Sequence, residues 1–170
     1  MMTRSVSQLL ALVVLMLAAL VIPAAPAVAL PPFACGTVTG GSAATYGHVT
    51  AVGVGTHTGY DRFVLTFSSP AVPAYTITPK SSAVFWLDPS NKQVTLLGTA
   101  GIKVVVHPSS GIGTYHGPTD VRPAFPQLLE ARNIGDFEGY LSWGLGLHEQ
   151  SCKRVFTLTG PSRLVVDVPN

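Results

Sequence analysis

The sequence predicts an all-β protein, a single β-sandwich with short turns, preceded by a signal peptide. Residues 141–147 and 163–168 alternate large apolar side chains with other residues, and this period of two gives a strand one apolar face. Further short β-rich runs follow at short intervals, separated by Gly, Pro, Asn and Ser. No helical pattern of useful length occurs after the leader. Many short strands with turn residues between them are typical of a sandwich or barrel.

The N-terminus has the pattern of a secretory signal peptide. Arg4 provides a positive charge, residues 9–22 form an uncharged apolar run of 14 residues, and Ala27-Val28-Ala29 offers a cleavage site. Because a bilayer-spanning helix needs about 20 residues, we predict cleavage after Ala29, export, and no stable membrane insertion of the product. A retained signal anchor is the alternative. The predicted organisation is a signal peptide at 1–29, a lead-in segment at 30–48 and a sandwich domain at 49–170.

The charge balance gives no reason to expect a nucleic-acid partner. The chain has 10 Lys+Arg and 8 Asp+Glu, for a formal net charge of +2, and removal of Arg4 with the leader lowers it to +1. No cluster of Lys or Arg is present, whereas nucleic-acid-binding domains carry basic patches. Neutrality is compatible with a glycan partner and with a protein partner alike.

Ten strands are predicted in the exported chain. They lie at 49–54, 62–67, 75–78, 84–87, 94–97, 102–106, 128–132, 141–147, 155–158 and 163–168. Residues 107–127 contain four Pro and three Gly and form a long loop with no obvious strand. Such loops are usually functional or mobile. Tyr115 and Phe125 give this loop aromatic groups suited to carbohydrate contact, and a variable insertion without a ligand is the alternative.

Two cysteines, Cys35 and Cys152, remain after removal of the leader. An oxidising compartment favours disulfides, and two cysteines permit one internal pairing. We therefore predict the disulfide Cys35–Cys152, with a buried free thiol or an intermolecular link as the alternatives. Pro32 and Phe33 do not fit the usual lipid-attachment signal ahead of Cys35, which favours a freely secreted product.

Asp136 and Glu138 are the strongest candidate acid pair. Two positions apart in a strand, both carboxylates face the same side, and paired carboxylates carry out glycoside hydrolysis. Catalytic carboxylates, however, flank the bond from opposite sides. Gly135 and Gly139 on either side of the pair favour a turn or bulge, in which the acids accept hydrogen bonds from the backbone.

Other catalytic or metal-binding patterns are missing from the sequence. No Gly-x-Ser-x-Gly motif occurs, and the five histidines form neither His-x-His nor His-Glu-x-x-His. We therefore predict no catalytic residues, no metal and no cofactor. A small glycan hydrolase remains the least favoured alternative.

Asp61 and Arg62 stand at the start of an apolar strand, and Arg163 and Asp167 frame the last one. A partly buried Asp–Arg pair on neighbouring strands would position the sheet through bidentate hydrogen bonds. Contact with a carboxylate or hydroxyl of a ligand is the alternative.

Several blocks of the chain resemble the AMIN-like domain of secreted and lipid-anchored proteins from Gram-positive bacteria with high-GC genomes. The resemblance covers about residues 49–168, in the blocks 55–65 (GTHTGYDRFVL), 74–78 (AYTIT), 97–104 (LGTAGIKV), 135–148 (GDFEGYLSWGLGLH) and 163–168 (RLVVDV). It implies a relationship to the AMIN β-sandwich, which targets cell-wall amidases to the envelope and is associated with peptidoglycan. The family has no established catalytic residues, so the resemblance assigns none here.

These observations predict a secreted, cell-wall-associated and non-catalytic module that binds cell-wall glycan weakly. Exposed aromatics such as Trp86 would stack on sugar rings, and charged groups would bind hydroxyls. Trp143 is predicted to lie in the core. A protein-interaction module that pairs with an envelope protein through a sheet edge is the main alternative. The predicted ligand-binding residues are Tyr115, Phe125, Tyr140, Asp61, Arg62, Asp136 and Glu138.

Overall fold

The structure is a computed structural model that describes residues 29–170, so the predicted signal peptide lies outside the described residues apart from Ala29. Residues 29–170 contain no helix that is long and apolar enough to cross a membrane. They form strands joined by turns and loops. The strands are β1 Val38–Gly40, β2 Gly47–His57, β3 Tyr60–Phe67, β4 Tyr75–Lys80, β5 Val84–Leu87, β6 Lys92–Thr95, β7 Ala100–Val106, β8 Ser109–Ser110, β9 Asp120–Val121, β10 Leu128–Phe137, β11 Tyr140–Leu147, β12 Arg154–Leu158 and β13 Ser162–Pro169.

Two sheets pack face to face, which confirms the predicted all-β sandwich. The larger sheet has six strands in the order β1-β4-β7-β11-β10-β9, and the smaller has five in the order β12-β13-β3-β2-β8. Neighbouring strands are antiparallel except for the short parallel pair of β2 and β8. Strands β5 and β6 form a separate two-stranded hairpin.

The main core lies between the two sheets and is built by the period-two pattern. In β11, Leu141, Trp143, Leu145 and Leu147 are each at most 2% exposed. They meet apolar residues of the smaller sheet, and the ring of Trp143 lies 5.7 Å from that of Phe63, centroid to centroid. The burial of Trp143 was predicted from its alternation with leucines and is confirmed.

The other face of β11 is covered by the β5–β6 hairpin. Phe85 of the hairpin and Leu96, the residue after β6, pack with Ile134 in a second small apolar cluster. The hairpin rests where β11 has glycines, and a Cβ on Gly144 would lie 3.3 Å from the Phe85 ring. The small residues that alternate with the core leucines therefore make room for a covering element.

Two parts of the chain are more ordered than the sequence predicts. The predicted strandless loop 107–127 contains β8 and β9, and the lead-in segment 30–48 contains β1. The expectation of a loop without strands is therefore wrong. These strands have only two or three residues each, too few to show a periodic pattern, and backbone pairing with β2, β10 and β4 defines them.

Cys35 and Cys152 form the predicted disulfide, which is thereby confirmed. No free cysteine is present among the described residues. Next to the disulfide, the backbones of Ala34 and Lys153 exchange two hydrogen bonds with N···O distances of 2.7 and 2.9 Å. The beginning of the described chain is thus attached to the segment just before β12.

Candidate functional site

The β10–β11 turn and the segment after β7 meet at one end of the sandwich, called here the turn end. Glu138 and Gly139 form the turn with φ angles of 50° and 78°, the left-handed backbone that two-residue hairpin turns require. The Gly139 carbonyl accepts a hydrogen bond from Ser109 N over 2.7 Å. His107 Nδ1 lies 3.1 Å from the same carbonyl. A carbonyl only accepts hydrogen bonds, so Nδ1 is the protonated ring nitrogen.

Asp136 holds the segment after β8 in place. Its Oδ2 accepts a hydrogen bond from Gly111 N at 2.7 Å, as the turn-or-bulge interpretation of this region predicted. Thr114 Oγ1 donates to the Val49 carbonyl at 2.8 Å and ties the same segment to β2. Oδ1 of Asp136 has no hydrogen bond within the described residues.

Asp136 and Glu138 do not form a carboxylate pair on one face of a strand. Glu138 has left the strand, since its positive φ places it in the turn, where it is exposed. Asp136 remains in β10 and binds the backbone. The structure therefore contains the turn that the flanking glycines favoured, and the same-side arrangement of the two acids, the less favoured alternative, is absent. Among residues 29–170, no three His, Cys, Asp or Glu side chains come together in a metal-binding arrangement.

A groove of about 230 Å³ opens beneath the segment held by Asp136, and we call it the Trp143 groove. Ile112 and Tyr115 contribute its accessible apolar surface, with the buried Leu141 and Trp143 behind them. Asn133 and Asp136 contribute polar groups. Trp143 Nε1 is buried and has no hydrogen-bond acceptor among the described residues. Buried polar groups are satisfied in the great majority of cases, so this donor is an exception, and it lies in the core behind the groove surface. The full lining is Val49, Gly111, Ile112, Tyr115, Thr119, Asn133, Asp136, Leu141 and Trp143.

A second, slightly smaller groove of about 210 Å³ lies beside Tyr140, and we call it the Tyr140 groove. The Tyr140 ring is 46% exposed. It stacks on the His107 ring with centroids 3.8 Å apart and planes inclined by 7°. Tyr75 and Val105 also belong to the lining. Tyr140 is therefore an exposed aromatic ring in a fixed orientation.

Two aromatic residues of the predicted site are less exposed than expected. Tyr115 is half-buried: its ring lies edge-on to Trp143 at 6.2 Å, and its hydroxyl donates to the Pro118 carbonyl at 2.7 Å. Burial raises the pKa of the Tyr115 phenol. Phe125 is also half-buried and packs against the main core. Tyr115 forms a wall of the Trp143 groove, whereas Phe125 is a core residue.

Asp61 is fully buried and far from the turn end. Its Oδ2 accepts hydrogen bonds from Gln127 N at 2.8 Å and Leu128 N at 2.9 Å, and its Oδ1 accepts from Thr56 Oγ1 and Asn170 Nδ2, each at 2.7 Å. Burial alone would raise the pKa of Asp61, but these hydrogen bonds outweigh it and the pKa is lowered. Asp61 thereby connects β3 to the start of β10.

Arg62 is held within the smaller sheet. Its Nε and Nη2 donate to the two carboxylate oxygens of Asp167 at 2.6 and 3.0 Å, and these hydrogen bonds raise the pKa of Arg62. Arg154 donates to the same carboxylate at 2.6 and 3.0 Å. Asp167 on β13 pairs directly with Arg62 on β3. The arrangement corresponds to the cross-strand Asp–Arg pair considered from the sequence.

Four of the seven residues predicted to bind a ligand lie at the turn end: Tyr115, Asp136, Glu138 and Tyr140. The other three, Asp61, Arg62 and Phe125, do not. The sequence did not identify Asn133 or Thr119, which complete the Trp143 groove. Asn133 faces Trp143 across β10 and β11, just before a shift in strand register. The sequence could have pointed to Asn133 only as a polar residue paired with a buried tryptophan. Recognising that signal requires knowing how β10 and β11 pair.

The structure defines a disulfide-linked β-sandwich module with two grooves at one end. The model of the AMIN-like domain matches residues 47–170, and the chain belongs to this family. The match begins with β2 and confirms the resemblance seen in the sequence. Membership indicates a binding or structural module of the cell envelope, and the disulfide is consistent with export. Searches for similar curated proteins and for similar solved structures found no match.

Proposed function

We propose that the chain is a secreted, non-catalytic module that binds the glycan of the cell wall weakly through the turn end. The observation that carries the proposal is the Tyr140 ring, which is half-exposed and stacked on His107. Family membership supports an envelope partner, and the exposed ring supports a sugar as the group that is bound.

An aromatic ring in a fixed orientation is well suited to bind a sugar. The C–H-bearing face of a pyranose packs against an aromatic face, where both surfaces are apolar. Because His107 covers one face of the Tyr140 ring, a sugar is expected on the other. Ordering a free side chain on binding costs about 0.5–1.5 kcal/mol, and the existing stack reduces this cost.

The binding is expected to be weak because both grooves are shallow and little charge lies in them. The surroundings add mostly apolar surface, since Phe137 is 45% and Ile112 is 72% exposed. Glu138 offers an exposed carboxylate to sugar hydroxyls. We expect a dissociation constant on the order of 1 mM for a short glycan, equivalent to about −4 kcal/mol, and stronger retention on an insoluble wall with many sites.

Tyr140→Ala tests the proposal, with Tyr60→Ala as the matched control. Tyr60 stacks on His57 with centroids 4.7 Å apart but lies at the opposite end of the sheets, where β2 and β3 connect. In co-sedimentation with insoluble peptidoglycan at low salt, Tyr140→Ala should reduce the affinity about tenfold, since stacking contributes about 1–1.5 kcal/mol. Tyr60→Ala should bind like the wild type. Equal binding by all three proteins, or no binding by the wild type, would refute the proposal.

A protein-interaction module is the second candidate, and a free sheet edge favours it. Strand β2 pairs with β8 only at Gly47 and His48, so residues 50–57 form an edge that no strand of residues 29–170 covers. No Lys, Arg, Asp or Glu protects this edge, although such residues commonly prevent strand addition. A concentration-dependent dimer in light scattering, lost in Val54→Lys, would support this candidate. A monomer at high concentration would count against it.

A further inference from the structure

We propose that the Trp143 groove binds the acetamido group of an amino sugar. The inference rests on the proposed function, since a glycan on Tyr140 would bring that group to the groove. Both grooves border the same turn: His107 contacts Gly139 on one side, and Asp136 holds Gly111 on the other. Tyr140 and Trp143 lie on opposite faces of β11, so a saccharide chain that passes over the turn has the aromatic platform on one side and the Trp143 groove on the other.

The apolar part of the groove suits a methyl group. Ile112 and Tyr115 supply its accessible apolar surface, and the buried side chains of Val49, Leu141 and Trp143 lie behind it. The volume of about 230 Å³ is several times the ~30 Å³ that one water molecule occupies in the liquid. Burial of a methyl group in such surroundings contributes about 0.8 kcal/mol. A hydroxyl in the same place would lose its hydrogen bonds to water.

The polar groups of the groove suit a secondary amide. Asp136 uses Oδ2 for Gly111 N, so Oδ1 remains to accept a hydrogen bond from an amide N–H. The Asn133 carboxamide is a donor in the same groove. An amide carbonyl is the acceptor that this donor needs. One small group with a methyl, an N–H and a carbonyl thus matches all three features.

Trp143 also provides the means of detection. The chain has two tryptophans, and the other one, Trp86, is 57% exposed on the β5–β6 hairpin. Trp86→Phe therefore leaves Trp143 as the sole tryptophan at little cost to the fold. In this protein, a β-1,4-linked N-acetylglucosamine tetramer should change the Trp143 emission. The glucosamine tetramer, which lacks the acetyl groups, and the glucose tetramer should bind at least tenfold more weakly.

Asn133→Ala tests the role of the groove, with Gln93→Ala as the control because Gln93 is an exposed carboxamide on β6. We expect Asn133→Ala to reduce the preference for acetylated sugar at least fivefold while circular dichroism stays unchanged. Gln93→Ala should keep the preference. Equal affinity for the three tetramers, or a preference for the glucosamine tetramer through Asp136, would overturn the inference.

The two proposals fail in different ways. A wild-type protein that sediments with peptidoglycan through Tyr140 but shows no acetyl preference refutes the acetamido site and leaves glycan binding intact. A protein that binds neither peptidoglycan nor any tetramer refutes both. Acetyl-dependent emission changes that persist in Tyr140→Ala would show that the Trp143 groove binds without the aromatic platform.

Discussion

At the scale of single residues, Asp61 is the clearest case of a polar group that stabilises the fold. It is fully buried and accepts four hydrogen bonds from different parts of the chain. Asp61→Ala leaves the donors of Gln127 and Leu128 buried without a partner, so we expect the free energy of unfolding to fall by about 3 kcal/mol. Urea unfolding measures this free energy. The control is Glu149→Gln at an exposed carboxylate, which should change the free energy of unfolding by less than about 0.5 kcal/mol.

The lowered pKa of Asp61 predicts how this contribution depends on pH. A carboxyl whose pKa is lower in the folded state stabilises the fold above its unfolded pKa, about 3.9, and loses this effect as pH falls through the folded value. The difference in unfolding free energy between wild type and Asp61→Ala should therefore be constant above about pH 5. It should shrink at lower pH. A difference that stays constant down to pH 2 would contradict the prediction.

The sequence identified the chemical types of the site residues better than their surroundings. Tyr140 was predicted to be one of the exposed aromatics, and it is 46% exposed. Tyr115 and Phe125 were assigned to an open loop, yet both pack against the core. Their burial depends on how the segment folds back over β2 and β10. The local sequence pattern does not show how this segment packs on the two strands.

At the scale of elements, the β5–β6 hairpin and the two residues after it, Leu96 and Leu97, explain the glycines of β11. A Cβ on Gly146 would collide with the backbone carbonyl of Leu97, and a Cβ on Gly144 would lie 3.2 Å from the flexible Leu96 side chain. Gly146→Ala should therefore lower the free energy of unfolding by about 2–3 kcal/mol and Gly144→Ala by about 1 kcal/mol. The control is Gly53→Ala, because nothing lies within 4 Å of its Cβ position.

In urea unfolding, Gly53→Ala is expected to be neutral or stabilising by up to about 1 kcal/mol, since alanine restricts the unfolded chain more than glycine does. The order Gly146 > Gly144 > Gly53 in destabilisation is the diagnostic result. Equal effects at the three positions would mean that the hairpin does not rest on β11 in solution.

Every strand predicted from the sequence is present, because each is long enough to show the period of two or an apolar run. The three strands that were not predicted are β1, β8 and β9, which have two or three residues each. They exist because longer strands offer backbone partners. The geometry of the site could not be predicted for the same reason. Asp136 and His107 are positioned by the short strand β8 and the turn at Glu138, and neither has a periodic pattern.

At the scale of the whole molecule, the disulfide and the grooves lie at opposite ends of the sandwich. Cys152 precedes β12, whose Arg154 faces Asp167 near the end where Tyr60 lies. Tyr140 pairs with Phe137 at the other end of the larger sheet. We therefore expect the disulfide to contribute to the stability of the fold and not to glycan binding.

The double substitution Cys35→Ser and Cys152→Ser tests this separation. The disulfide joins residues 117 positions apart, and closing a loop of about this size stabilises by up to about 4–5 kcal/mol in the chain-entropy model, with measured values often near 2–4. Urea unfolding should show a loss of about 2–4 kcal/mol, and reduction of the wild type should have the same effect. Below the unfolding transition, peptidoglycan binding and its dependence on Tyr140 should not change. Loss of binding by the folded double variant would show that the two ends are coupled.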